Sequence, residues 1–345
     1  MLFSRILIRA TNWLGDAVMS LPALREIRAR FPEAHIAVQA RPWVADLYSR
    51  EKFADEMILY TAKPGARDWR GKRAAARGLR ERGFDCAILL ANSLDAALIV
   101  WMAGIPRRIG YARDARHLLL TDRVPPPKAG EIPRHERFYY LELLRRAGLT
   151  DELPVTPVIR LEGVEPARLA GERRLDELGI ARPVVGVSPG AAFGGAKRWF
   201  PERFAETAGR VAAELGASVA VFGSSAERPV CEAVAGALQA AGRKAVNLAG
   251  RTKLAEFIEL AAACRVFLTN DSGAMHVASA LDVPTVAVFG ATDDITTGPA
   301  GPLARVVREA VDCSPCLLRE CPIDHRCMSA VSANRVAAAT LELLK

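Results

Sequence analysis

The chain has 345 residues, half of them hydrophobic, and a formal net charge of +8. Its length favours two domains over one, and the hydrophobic half of the residues can fill two cores without disulfides. The sequence has no run of about 18 apolar residues, which argues against a membrane-spanning helix.

Apolar runs alternate with helical stretches in both halves. The runs typical of strands lie at 5–9, 36–39, 57–60, 86–90 and 108–111, and at 184–188, 218–222, 245–248, 265–269 and 285–289. Helices are predicted at 21–31, 204–215, 254–264 and 332–345. Continuous apolar runs indicate strands covered on both faces, and their alternation with helices indicates parallel sheets. A charged stretch without strands, 162–182, is expected to include the linker.

The positive charge lies mostly in the first half. Residues 1–165 carry 27 Lys and Arg against 20 Asp and Glu, which points to an anionic partner. The densest part runs from Lys63 to Arg82 and contains Arg67, Arg70, Lys72, Arg73, Arg77 and Arg80. A solvated helix face is the simpler explanation for any single one of these residues.

The start of the chain does not have the layout of a secretory signal peptide. Residues 6–10 read as a strand that runs into Thr11 and Asn12. We therefore expect a cytoplasmic protein.

Two loops follow buried strands and contain a carboxylate and a glycine. They are Asn12-Trp13-Leu14-Gly15-Asp16-Ala17 and Thr269-Asn270-Asp271-Ser272-Gly273-Ala274-Met275-His276. The carboxyl end of a parallel strand is where open α/β sheets bind ligands, and the helix that starts there offers free N–H groups to a phosphate. Two such loops in two halves predict two sheets that face one cleft.

Asp16 is a candidate general base. It follows Gly15, which lets the backbone turn tightly, and it lies in the first turn of a helix whose positive end keeps it ionised. An isolated Gly-Asp pair is more often a carboxylate that only complements the helix dipole.

A glycine-rich loop in the second half is a candidate phosphate cradle. It runs through Ser188-Pro189-Gly190-Ala191-Ala192-Phe193-Gly194-Gly195-Ala196-Lys197-Arg198-Trp199 and ends in two cations. It is not a Walker A motif, and a surface loop is the alternative. His276, one turn beyond Ser272 and Gly273, either reaches the same anion or is a buried core histidine.

Together these three motifs resemble the lipopolysaccharide heptosyltransferases of glycosyltransferase family 9, over nearly the whole chain. The resemblance implies an α/β protein of the GT-B fold, with two Rossmann-like domains whose parallel sheets face a central cleft. It places an acceptor-binding domain at 1–165, a nucleotide-sugar-binding domain at 180–330 and a C-terminal helix at 331–345. It also implies an inverting transfer of L-glycero-D-manno-heptose from ADP-heptose to a heptose on the Kdo–lipid A core.

The resemblance also implies roles for single residues. Asp16 is the base, Lys197 meets the diphosphate, and Glu227 falls where the family places a ribose-binding carboxylate. The other expected substrate contacts are Asn12, Gly15, Arg198, Asp271, Ser272, Gly273, Met275 and His276. The chemistry agrees, because a leaving diphosphate needs cations and N–H groups around its developing charge. No Asp-x-Asp motif precedes a plausible metal-bound diphosphate site, so we expect catalysis without a divalent metal. The basic first half is explained by an anionic acceptor and by peripheral contact at the cytoplasmic face of the inner membrane.

Four of the seven cysteines lie within fifteen residues, at Cys313, Cys316, Cys321 and Cys327. In a cytosolic chain, such clustering favours metal binding or redox chemistry over disulfides. A structural zinc site or an iron–sulfur cluster is one interpretation, and four reduced thiols in a compact loop is the other. Cys86, Cys231 and Cys264 have apolar neighbours and are predicted to lie in the core.

Two other functions remain open from the sequence. A nucleotide-sugar epimerase or hydrolase of the same two-domain architecture would act on the donor without an acceptor. A basic nucleic-acid-binding protein would show salt-sensitive DNA binding, but only 6% of the residues are aromatic and no recognised module is present.

Overall fold

The computed structural model describes residues 3–63, 65, 68–153 and 158–345. The chain divides into two compact units, Met1–Pro157 and Val158–Lys345. Each unit has its own parallel sheet.

In the first unit, the described residues form a six-stranded parallel sheet with helices between the strands. Its strands are β1 (Arg5–Arg9), β2 (His35–Ala40), β3 (Glu56–Leu59), β4 (Cys86–Leu89), β5 (Arg107–Tyr111) and β6 (Asp122–Val124). Its helices are α1 (Leu14–Met19), α2 (Leu21–Arg30), α3 (Pro42–Tyr48), α4 (Trp69–Glu81), α5 (Leu94–Met102) and α6 (Glu136–Arg146). The strand order is β3-β2-β1-β4-β5-β6.

The second unit repeats this plan. Its strands are β7 (Val184–Ser188), β8 (Ser218–Val221), β9 (Ala245–Asn247), β10 (Val266–Asn270), β11 (Thr285–Val288) and β12 (Ala304–Val307). Its helices are α7 (Val164–Glu177), α8 (Pro201–Leu215), α9 (Arg228–Ala240), α10 (Leu254–Ala262), α11 (Gly273–Ala280), α12 (Asp294–Thr297), α13 (Arg326–Ser329) and α14 (Ala333–Leu343). The order β12-β11-β10-β7-β8-β9 is the same 3-2-1-4-5-6 arrangement, which is that of the Rossmann fold.

All ten predicted strands are confirmed, within one or two residues at each end. The continuous apolar run of β1 is enclosed on both faces, since Ile6, Leu7 and Ile8 are fully buried. The two strands that the sequence analysis missed, β6 and β12, each lie at an edge of a sheet. Two of the three residues of β6 are charged, and Arg305 interrupts the apolar residues of β12, so neither strand has the continuous apolar run on which the prediction depends. Charges of this kind on an edge strand discourage pairing with another chain.

Helix α7 (Val164–Glu177) occupies most of the stretch 162–182, where a linker was expected. Helix α7 packs against α10 so closely that a Cβ on Gly171 would lie 1.9 Å from the carbonyl oxygen of Glu259. Arg174 donates to the Glu259 carboxylate at 2.5 Å and holds the same two helices together. This segment therefore belongs to the second unit.

The predicted C-terminal helix is confirmed as α14, which packs against α8. The longest helix of the described residues is α8, with 15 residues. None of the helices in that part of the chain is long and apolar enough to cross a membrane.

Candidate functional site

Both carboxylate loops lie at the point where the strand order of their sheet reverses. In the first unit this point lies between β1 and β4, and β1 leads directly into the Asp16 loop. In the second unit it lies between β7 and β10, which lead into the glycine-rich loop and the Asp271 loop. Such switch points open a crevice at the carboxyl edge of an α/β sheet, where ligands bind.

Asp16 lies in the first turn of α1, as predicted, and is partly exposed. The expected tight turn at Gly15 is absent, since Gly15 is itself the second residue of the helix. The chain enters the helix at Trp13 in an extended conformation. Asn12 lies just before it, and its carbonyl oxygen accepts a hydrogen bond from the Trp43 indole at 2.9 Å.

A second carboxylate accompanies Asp16. Burial, and to a lesser degree the negative charge of Asp16, raises the pKa of Glu136 at the start of α6. Burial also raises the pKa of Tyr48 to about 12, with a smaller contribution from Asp16 in the same direction. Glu136 is not among the predicted site residues, because nothing in the local sequence indicates that α6 packs beside α1.

In the second unit, Lys197 and Asp271 form an ion pair. The Lys197 ammonium lies 2.5 Å from Asp271 Oδ2, and the Thr292 hydroxyl donates to the same oxygen at 2.6 Å. Both charged side chains are largely buried, so the pair is only weakly screened by solvent. The structure thus brings together two predicted site residues that are 74 positions apart.

Asn270 fixes the position of the glycine-rich loop, residues 189–198. Its amide donates to the Pro189 carbonyl at 2.7 Å and accepts from the Trp199 backbone N–H at 2.9 Å. Both ends of the loop are therefore held to the carboxyl end of β10. Arg198 is exposed and donates to the Ala191 carbonyl within the loop.

The remaining predicted residues of the Asp271 motif have different environments. Ser272 precedes α11, and its hydroxyl lies 3.1 Å from that of Thr269, while Gly273 is the first residue of the helix. Met275 is fully buried and packs with Ala287 and Phe289 in the core. His276 is buried on the same helix.

Glu227 also lies against the glycine-rich loop. Its carboxylate accepts from the Ser224 backbone N–H and hydroxyl, both at 2.8 Å. A Cβ on Gly190 would lie 2.1 Å from Glu227 Oε1, so a side chain at this position of the loop would require the Glu227 carboxylate to move. The structure therefore places Glu227 beside the loop that carries Lys197, although it follows a different strand.

The basic stretch 63–82 is not a uniform surface. Lys72 is buried and pairs with Asp95, which corrects its inclusion in a solvent-facing patch. Arg67 lies outside the described residues. Three of the exposed cations of α4 form a stripe at helical spacing: Arg70, Arg73 and Arg77. The fourth, Arg80, donates to the backbone carbonyls of Met102 and Ala103.

Lys72 belongs to a buried cluster of cations around Tyr60. The guanidinium carbons of Arg9 and Arg41 lie 4.6 and 4.3 Å from the centre of the Tyr60 ring. The Tyr60 hydroxyl donates to Asp95 at 2.7 Å. Burial lowers the pKa of Arg9 to about 10, and neither Arg9 Nε nor Gln39 Oε1 has a hydrogen-bond partner within the described residues.

The four clustered cysteines lie near one another. Burial, and then the charges of Cys313, Cys316 and Cys321, raise the pKa of the Cys327 thiol. Even so, across the described ranges no group of three or more His, Cys, Asp or Glu side chains is arranged to hold a metal ion. Cys86, Cys231 and Cys264 are buried in the core, as predicted.

A sequence model of glycosyltransferase family 9 (heptosyltransferase) matches residues 72–326. The chain belongs to this family. That membership agrees with the resemblance seen in the three motifs and with the two Rossmann-like sheets of the GT-B fold.

Relatives of the chain are similar over most of its length. It is 36% identical to lipopolysaccharide heptosyltransferase 2 of Salmonella typhimurium and 34% identical to lipooligosaccharide heptosyltransferase 2 of Haemophilus influenzae, in each case over 88% of both chains. The solved structure of the Escherichia coli ADP-heptose LPS heptosyltransferase II matches 99% of this chain and 98% of that one, with a TM-score of 0.82 and 31% identity.

Proposed function

We propose that the protein is an inverting heptosyltransferase of lipopolysaccharide biosynthesis. It transfers L-glycero-D-manno-heptose from ADP-heptose to the first heptose of the Kdo–lipid A inner core. The observation that carries this conclusion is the 36% identity to a lipopolysaccharide heptosyltransferase 2 over 88% of both chains. The loops at the two switch points supply residues of the types that the reaction needs.

The transfer is a single displacement at the anomeric carbon. The acceptor hydroxyl oxygen attacks this carbon while the bond to the diphosphate breaks, and Asp16 accepts the hydroxyl proton. The position of Asp16 in the first turn of α1 supports this role, because the helix dipole favours a carboxylate there.

Lys197 stabilises the leaving diphosphate. Its ammonium is held by Asp271 at 2.5 Å, so the cation is fixed before the donor arrives. The N–H groups at the start of α11, beside Ser272 and Gly273, add donors for the same developing charge. Arg198 adds a second cation, and Glu227, which lies beside the glycine-rich loop, binds the ribose.

The exposed arginine stripe of α4 recruits the anionic acceptor. Arg70, Arg73 and Arg77 have no acidic partner within the described part of the chain, so their charge is available to Kdo carboxylates and lipid A phosphates. The same stripe supports a peripheral position of this cytoplasmic enzyme at the inner-membrane surface.

A structural zinc or iron–sulfur cluster at Cys313, Cys316, Cys321 and Cys327 is a separate proposal, and the arrangement of their side chains does not favour it. Elemental analysis of protein purified without chelator tests it. One equivalent of zinc or of iron would support it, and less than about a tenth of an equivalent with four titratable thiols would contradict it. The displacement above involves no metal, in keeping with the missing Asp-x-Asp motif.

Mass spectrometry of the reaction products tests the proposed function. With ADP-heptose and heptosyl-Kdo-lipid A, we expect the acceptor to gain the mass of one heptose. Addition to Kdo-lipid A that lacks the first heptose would assign the enzyme to the preceding transfer. Consumption of ADP-heptose at the same rate without any acceptor would instead indicate an epimerase or a hydrolase.

A further inference from the structure

The cysteine segment, residues 313–327, packs directly on the glycine-rich loop. The Arg319 carbonyl accepts from the Ala196 N–H at 2.9 Å, and the Glu320 carboxylate accepts from the Gly195 N–H at 3.0 Å. The His325 ring Nε2 lies 3.0 Å from the Ala196 carbonyl. The segment thus holds the two residues of the loop that directly precede Lys197.

The segment approaches the glycine-rich loop closely at two glycines. A Cβ on Gly194 would lie 2.2 Å from the Arg319 carbonyl oxygen, and a Cβ on Gly195 would lie 2.3 Å from the Glu320 carboxylate. Gly194 is therefore required where the backbone of the segment meets the loop, whereas a side chain at Gly195 would require the exposed Glu320 carboxylate to move. The presence of Gly194 cannot be attributed to a phosphate alone.

Arg319 lies beside Lys197 on the same aromatic ring. Its guanidinium carbon lies 5.0 Å from the centre of the Phe193 ring, and the Lys197 ammonium lies 4.8 Å from it. The two cations are thus within about 10 Å of each other. Unlike Lys197, Arg319 is exposed and has no carboxylate partner within the described residues, so its charge is available to an anion.

We propose that the cysteine segment is a wall of the donor site, in which Arg319 is a further cation, in addition to Lys197 and Arg198, that contacts the diphosphate of the nucleotide sugar. Glu320 and His325 are positioning residues, which act through the backbone of Gly195 and Ala196. This inference rests on the proposed function, because it takes a nucleoside diphosphate sugar as the donor. Arginine suits the role, since its planar guanidinium forms paired hydrogen bonds to phosphate oxygens.

Direct binding of ADP and AMP to the full-length protein, measured by calorimetry, tests the role of Arg319. We expect Arg319→Ala to weaken ADP binding about tenfold to a hundredfold, to weaken AMP binding much less, and to leave the acceptor KM unchanged. Arg319→Lys should restore part of the loss. Equal ADP affinity in the wild type and Arg319→Ala would overturn the inference.

Arg326→Ala is the matched control. Arg326 lies in the same segment and is exposed, but it pairs with Asp324 at 3.0 Å. We expect ADP binding within about twofold of the wild type, and an equal loss in both variants would mean that general charge, not Arg319, acts on the donor. Wild-type protein that binds neither ADP nor ADP-heptose would instead contradict the proposed function.

Glu320 tests the positioning role separately. Glu320→Ala removes the acceptor of the Gly195 N–H and should weaken ADP binding and lower kcat, whereas Glu320→Gln keeps an acceptor oxygen and should behave nearly like the wild type. Unchanged ADP affinity in a folded Glu320→Ala variant would show that the segment does not hold the loop for the donor.

Discussion

The two units share a strand order but balance charge differently at the carboxyl edges of their sheets. In the second unit the buried cation Lys197 is matched by Asp271, with Thr292 as a further donor to that carboxylate. In the first unit Arg9, Arg41 and Lys72 lie around Tyr60, and Asp95 is the carboxylate that contacts the cluster.

This difference indicates two ways to prepare a site for an anion. A buried cation without a carboxylate partner is costly, and burial lowers the pKa of Arg9 accordingly. The first unit therefore maintains a positive field at its ligand edge. The second unit holds the neutral pair of Lys197 and Asp271. An incoming diphosphate would share the Lys197 ammonium with Asp271. This difference fits the proposed transfer, in which the first unit attracts the anionic acceptor. In the second unit, the donor diphosphate then shares Lys197 with Asp271.

Replacing Asp16 is expected to have the largest effect, and it tests whether the first unit supplies the general base. We expect Asp16→Asn to lower kcat by about 10²–10⁴-fold, because the amide cannot accept the acceptor proton. ADP-heptose binding should be unchanged, since we propose that the donor binds to the second unit. Asp151→Asn, an exposed change in the same unit, serves as the control. A kcat close to that of the wild type would exclude Asp16 as the base.

Lys197→Ala should affect both binding and chemistry in the second unit. Loss of the cation leaves Asp271 to repel the diphosphate, so we expect a higher donor KM and a kcat lower by about 10²–10³-fold. Lys197→Arg should recover part of both. Steady-state kinetics with varied donor measures the effect, and unchanged donor KM and kcat would make Lys197 a structural residue.

The contrast between surface and buried cations of α4 gives the next test. Changing Arg70, Arg73 and Arg77 to Gln should raise the acceptor KM about threefold to tenfold at low salt and flatten its salt dependence. The donor KM should not change. If both KM values rise together, the stripe acts on folding and does not recruit the acceptor.

Lys72→Met provides the comparison with a buried cation of the same helix. Removing Lys72 leaves Asp95 without its ion-pair partner, so we expect a loss of about 3 kcal/mol in the free energy of unfolding. Urea unfolding measures this loss. Stability equal to that of the wild type would indicate that Lys72 is not held in the buried pair.

The smallest effect concerns the buried thiols. Burial raises the pKa of Cys264 to about 12, from 9.0 for an ordinary thiol. Between about pH 9 and 12 the folded state therefore binds more protons than the unfolded state, so stability is complete below this window and declines as the pH rises through it. Urea unfolding of Cys264→Ala at several pH values should show a shallower decline, whereas Cys313→Ala, outside the core, should keep the wild-type slope.

The sequence predicted the parts of the fold that depend on continuous apolar runs. The central strands and the loops after β1, β7 and β10 follow from such runs. Lys72 was assigned to the surface because its charge was counted without its helix position. Its spacing to Ala76 and Leu79 places it on the buried face, and this signal was available in the sequence.

The contacts that the sequence analysis missed join distant parts of the chain. Glu136 beside Asp16, and Arg319 beside Lys197, are separated by more than a hundred residues, and no local pattern encodes either neighbour. The glycines of the glycine-rich loop were likewise explained by phosphate binding alone. The cysteine segment that packs against them is distant in sequence, so its contacts could not be predicted.

The close approach at Gly194 and Gly195 has an evolutionary consequence. A homologue that shortens or replaces the cysteine segment removes the Glu320 carboxylate from Gly195, whereas the backbone of Gly194, with a φ of +159°, still favours glycine. We therefore expect larger residues at position 195 mainly in homologues that have lost the segment, and glycine at position 194 with or without it.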